Sequence, residues 1–115
     1  MMSRLGVWFM GVLARLPLPA LRAMGAALGR VLFVLVVRRR KVALRNLELC
    51  FPQASVEQRT QWARESFIVF CQTWLDRSWL WSAPQSVVEQ RVKLQGAVQE
   101  LDGDVPTIIF APHFY

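Results

Sequence analysis

The chain has 115 residues, 54% of them hydrophobic, with a mean hydropathy of +0.28 and a net charge of +6. That length builds one small domain with a modest core, and the hydropathy is high for a soluble one. The basic residues are interleaved with long aliphatic runs and no nucleic-acid motif is present, which argues against a nucleic-acid partner; two cysteines and one histidine without CxxC spacing argue against a four-ligand zinc site.

The charge is unevenly placed. Residues 1–50 hold nine Lys/Arg against Glu48 alone, and residues 51–115 hold five against seven acids, so the halves carry +8 and −2. A basic, apolar front joined to a near-neutral body is the pattern of a membrane-facing segment attached to a globular unit.

The first predicted element is a helix over 3–16. Leu5, Trp8, Phe9, Val12, Leu13 and Leu16 recur at helical spacing and make one continuous apolar face. Pro17-Leu18-Pro19 interrupts it, because proline lacks the donor and clashes with the preceding turn.

A second helix is predicted over 20–37. At 1.5 Å per residue it measures about 27 Å, close to the ~30 Å hydrocarbon thickness of a bilayer. Arg22 and Arg30 lie inside it, and an arginine near a bilayer centre costs roughly 2.5–3.5 kcal/mol on insertion scales. A helical hairpin seated in one leaflet, or a tilted span, fits better than a simple crossing. Gly25 and Gly29 give a weak small-xxx-small signal. A cleaved signal peptide fits less well than an uncleaved anchor, because Arg15 interrupts the first apolar core and a second apolar run follows at once.

Arg38-Arg39-Arg40-Lys41 closes the apolar segment. Positive flanks stay on the cytoplasmic side and pair with anionic headgroups. A short amphipathic helix is predicted over 41–50, ended by Cys50-Phe51-Pro52.

Ser55-Val56-Glu57-Gln58 fits a capping box that opens a long helix reaching about Trp81. Its expected inward face carries Ala63, Phe67, Phe70, Cys71, Trp74, Ser78 and Trp81. Its acids Glu57, Glu65 and Asp76 are expected in solvent, as are Asp102 and Asp104 further on. Cys50 and Cys71 read as buried thiols in a reducing compartment. Ser82-Ala83-Pro84 breaks the helix.

Residues 87–94 alternate apolar and polar and predict a strand. Asp102-Gly103-Asp104 predicts a tight turn. Residues 107–111, short, apolar and rich in β-branched side chains between Pro106 and Pro112, predict a buried strand. The order of elements predicts the α/β class, with membrane-associated helices in front. His113, the only histidine, follows the last strand, where such folds place chemistry, and is the candidate catalytic base.

Three pieces together carry a family resemblance: the hydrophobic front, the run Arg45-Asn46-Leu47-Glu48-Leu49-Cys50-Phe51-Pro52, and the strand leading into Ala111-Pro112-His113-Phe114. The chain resembles the lauroyl/myristoyl transferases of lipid A biosynthesis, relatives of the lysophospholipid acyltransferases. The resemblance covers essentially the whole chain as the N-terminal third or so of such an enzyme. It implies a membrane-anchoring hairpin over 1–41 with a basic flank, followed over 42–115 by the start of an α/β acyltransferase domain.

The family signature is a histidine, four residues, then an acid. His113 matches the histidine, and the acid would fall three residues beyond Tyr115. The resemblance implies that His113 is a general base for transfer of a fatty acyl chain from an acyl carrier protein thioester to a hydroxyl of a lipid A precursor. No metal or other cofactor is implied. The implied partners are membrane lipids, the lipid A precursor and acyl carrier protein, and the implied location is the cytoplasmic face of the bacterial inner membrane. The chain as given is expected to be inactive by itself. The alternatives are a glycerophospholipid acyltransferase and a non-enzymatic, membrane-anchored interaction module.

Overall fold

The computed structural model describes residues 4–93, 95, 96, 99, 103–108 and 110. They contain the helices α1 (Arg4–Ala14), α2 (Leu18–Leu35), α3 (Val37–Cys50), α4 (Val56–Ser82) and α5 (Gln85–Arg91). The chain divides into two compact units, Met1–Pro84 and Gln85–Tyr115.

Each junction in the first unit has a local cause. Pro17 sits in extended geometry at the head of α2, and Pro19 falls in the first turn, where its missing N–H has no partner to lose. Val36 leaves helical geometry between α2 and α3. The freed α2 carbonyls are then collected by Arg40, whose Nη1 donates to the Phe33 oxygen at 3.0 Å and the Val34 oxygen at 3.4 Å. A cation at a helix C-terminus also meets the negative end of the helix dipole. The predicted cap of the long helix is present: Ser55 Oγ accepts from the Gln58 N–H at 3.1 Å, and α4 runs to Ser82.

The most extensive packing joins α2 to α4; α1 and α3 also lie against α4. The two long helices run antiparallel, with Arg22 beside Asp76, Gly25 beside Gln72, Gly29 beside Ile68 and Phe33 beside Phe67. The glycines set the separation. A Cβ on Gly29 would lie 2.5 Å from the Ile68 Cα, and one on Gly25 would lie 2.7 Å from the Gln72 Cγ. The weak glycine spacing of the sequence is therefore the contact seam of the fold. Leu21, Gly25, Gly29 and Phe33 form the buried stripe of α2.

The α/β expectation is overturned. Among the described residues there is no strand. Residues 85–91, which overlap the expected strand 87–94 over 87–91, are helical, and a Gln85 Nε2 to Glu89 Oε1 hydrogen bond of 2.7 Å spans one turn. The alternation there is too short to outweigh a local helical start after Pro84. Thr107, Ile108 and Phe110 of the other expected strand are exposed and have no strand geometry; no described strand is present to take their backbone bonds. Residues 109 and 111 of that segment lie outside the described residues, as does Asp102 of the expected turn.

Three burial expectations also change. On α4, Phe70, Trp74 and Trp81 face outward, while Leu75 and Trp79 join Ala63, Cys71 and Ser78 inside. The helix is apolar on several sides, and the glycine seam of α2 selects which side is covered. Cys50, at the end of α3, is exposed. Asp76 is mostly covered, because it pairs with Arg22.

Candidate functional site

His113 lies outside the described residues, together with Ala111, Pro112, Phe114 and Tyr115. The described residues of the first unit instead build two surfaces: an outward apolar one and a basic end.

The apolar surface starts on α1. Only Met10 and Leu13 of that helix are buried, and Leu5, Trp8, Phe9 and Val12 of the predicted apolar face point outward. On α2, Met24, Leu28, Val31 and Leu35 recur at helical spacing and are exposed. Exposed apolar surface on this scale marks an interaction face. Among the described residues α2 is the one helix long and apolar enough to cross a membrane, judged by length and composition.

The two arginines within α2 differ in circumstance. Arg22 Nη2 lies 3.0 Å from Asp76 Oδ2, and Asp76 Oδ1 also accepts from Trp79 Nε1 at 3.0 Å. Gln72 Nε2 donates to the Arg22 carbonyl at 3.0 Å. Arg30 points instead into a groove of about 650 Å³ between α2 and α4, walled also by Gln61, Arg64, Glu65 and Ile68.

The basic end continues from there. Arg40 and Arg64 each place the guanidinium carbon 5.5 Å from the centre of the Phe33 ring, a cation–π arrangement. A second groove, of about 340 Å³, lies between α3 and α4 and is walled by Lys41, Leu44, Arg45, Glu48 and Arg59. The two grooves meet at Val56 and Thr60.

Two carboxylates here are held below their ordinary range. Glu48 is lowered first by its hydrogen bond from Arg45, at 2.7 Å, and then by the charges of Arg45 and Arg59. Glu57 is lowered by its own backbone N–H and by the Ser55 hydroxyl at the start of α4. Both therefore stay ionised to a lower pH than an ordinary glutamate. Burial pushes the Cys71 thiol up, the opposite of an activated nucleophile.

A family model described as bacterial lipid A biosynthesis acyltransferase matches residues 1–115. The chain belongs to that family. It is similar to the lipid A biosynthesis palmitoleoyltransferase of Escherichia coli strain K12, 34% identical over 93 residues, which are 77% of this chain and 30% of the relative. A lipid A biosynthesis acyltransferase of Shigella flexneri matches with the same identity and coverage. The lipid A biosynthesis lauroyltransferase of E. coli strain K12 is 35% identical over 63 residues, 55% of this chain and 21% of the relative. The chain thus spans about 30% of the length of the first two. No solved structure gives a significant match.

Within this member of the lipid A acyltransferase family, sequence reasoning missed the Arg22–Asp76 pair and the part played by Arg59 and Arg64 in the basic end. The signal for the pair was an arginine in an apolar helix, which calls for a carboxylate elsewhere in the chain. The signal for Arg59 and Arg64 was their position in the first turns of the helix that follows the basic run.

Proposed function

We propose that the protein containing this chain transfers a fatty acyl chain from an acyl carrier protein thioester to a hydroxyl of a lipid A precursor. The observation that carries this reading is the family match over residues 1–115, joined by relatives whose names specify palmitoleoyl and lauroyl transfer in lipid A biosynthesis. The outward apolar surfaces of α1 and α2 support seating in the inner membrane, and the basic residues 38–41 support a body on the cytoplasmic face. An acceptor that carries acyl chains would then present its hydroxyl near the headgroup plane.

In this mechanism His113 is the general base. It takes the hydroxyl proton as the oxygen attacks the thioester carbonyl. The tetrahedral intermediate collapses, the carbon–sulfur bond breaks and an ester forms. The imidazolium returns its proton to the departing thiolate. An acid five positions after His113 would fix the imidazole tautomer and stabilise its charged form. The chemistry needs no metal or organic cofactor.

The test is product analysis. Full-length protein in membranes, given an acyl carrier protein thioester and a lipid A precursor, should yield precursor heavier by one acyl group in the mass spectrum. Transfer to lysophospholipid or glycerol phosphate with the lipid A precursor unchanged would contradict the proposal.

A further inference from the structure

Three cations wall the small groove between α3 and α4, and they come from both helices: Lys41 and Arg45 from α3 and Arg59 from α4. Glu48 is the one acid in that wall, and it is committed to Arg45 at 2.7 Å. Among the described residues neither Lys41 nor Arg59 has a carboxylate within ion-pair distance; the charge of Arg59 is felt at Glu48 without contact. The spacing of the walls is set independently of these charges. Phe51, just past α3, meets Trp62 of α4 edge to face at 5.3 Å, and Ser55 caps α4 between them. The groove therefore holds uncompensated positive charge in a fixed concave frame.

We propose that this groove seats the phosphate group of an anionic membrane phospholipid, with Arg59 and Lys41 as its direct partners and Arg45 beside them. The inference rests on the membrane seating of α1 and α2 proposed above. A guanidinium offers a planar fork to two phosphate oxygens, and an ammonium adds a compact charge. A volume of about 340 Å³ accommodates a phosphate with its glycerol linkage. The location selects a lipid as the source of the phosphate. Val36 alone separates α2 from α3, and Lys41 lies in the second turn of α3. Val34, Leu35, Val37 and Val42 are exposed around that junction, so apolar surface adjoins the charges. With α2 in hydrocarbon, the groove falls at headgroup depth, where basic pockets bind anionic lipid.

The test uses the full chain in neutral detergent micelles and native mass spectrometry to count bound phosphatidylglycerol against phosphatidylcholine. Wild type should retain phosphatidylglycerol preferentially. The double variant Lys41→Gln/Arg59→Gln should lose that preference by roughly thirty-fold, the effect of two near-surface charges. Arg4→Gln/Arg15→Gln, which removes the same charge away from the groove, at the start of α1 and just past its end, should lose far less of the preference. Arg59→Lys, which keeps the charge, should fall between wild type and the double variant. Equal losses in the two double variants would reduce the effect to net charge and overturn the site. Displacement of the lipid by an equal concentration of inorganic phosphate would overturn the lipid as occupant. Failure of wild type to enter phosphatidylcholine vesicles would overturn the membrane seating itself, whereas lost headgroup selectivity with normal entry would overturn only the groove.

Discussion

Arg22 of α2 and Asp76 of α4 meet at 3.0 Å, one turn from the place where Gly25 lets the two backbones close on each other. The pair accounts for one of the two arginines inside α2 that oppose seating it in an apolar medium; the other, Arg30, lines the groove against α4. Asp76 is the better covered partner, at 13% side-chain exposure against 44% for Arg22, and it also holds Trp79 Nε1. Replacing it therefore removes an acceptor from two donors. Asp76→Ala should destabilise the helical unit by about 2 kcal/mol, within the range for hydrogen bonds to charged groups, and Asp76→Asn, which keeps an acceptor for Trp79, by less. Denaturation of the full chain in detergent, followed by circular dichroism, measures both.

The glycines make a contrasting pair of predictions. Gly29→Ala must push a Cβ into the Ile68 backbone, and helix backbone cannot give way as a flexible side chain can. Overpacking of this kind costs about 1–3 kcal/mol, more than the helix propensity gained. Gly11→Ala in α1 meets nothing within 4 Å and should stabilise by about 0.5–1 kcal/mol. Opposite signs in thermal midpoint are expected from two chemically identical substitutions.

Ser78 is fully buried in α4, and among the described residues its hydroxyl has no hydrogen-bond partner. An unsatisfied buried hydroxyl costs about 1–3 kcal/mol. Ser78→Ala should therefore leave the helix content unchanged and raise the thermal midpoint by a few degrees. A fall in the midpoint would mean that the hydroxyl is bonded in solution.

Glu48 gives a pH prediction. Its carboxyl is depressed in the folded chain, chiefly by the Arg45 hydrogen bond, so the interaction is present above the ordinary carboxylate pKa. It is lost as pH falls through the depressed value. Arg45→Gln should move the Glu48 titration upward, toward the ordinary carboxylate value, in a carboxyl-detected NMR titration. Arg59 contributes the weaker part, so Arg59→Gln should move it less.

The parts of the fold written in short-range chemistry were legible. Pro17 and Pro19 mark the break between α1 and α2, and the Ser55 hydroxyl with Gln58 three positions on marks the start of α4. What depended on distant partners was not. Gln72 bonds the Arg22 carbonyl fifty positions away, and no local pattern announces it. The inward face of α4 could not be chosen from its own periodicity, because Phe70, Trp74 and Trp81 are as apolar as the buried Leu75 and Trp79. The strand expected at 87–94 failed for the same reason: alternation over a few residues fits a helix turn as well as a strand, and only a paired neighbour decides. The basic run 38–41 was visible, but its extension to Arg59 and Arg64 across the grooves needed the packing of α3 and α2 on α4. His113 was singled out by its chemistry and by the family resemblance, and its surroundings lie outside the described residues.

The most direct measurement is the steady-state transfer rate of the full-length protein carrying His113→Ala, with an acyl carrier protein thioester as donor and a lipid A precursor as acceptor. If His113 is the general base, kcat should fall by about 10²–10⁴-fold, while membrane partition and the helical circular dichroism signal match wild type. A variant that retains kcat within about threefold, far short of what loss of a general base produces, would contradict the assignment of His113.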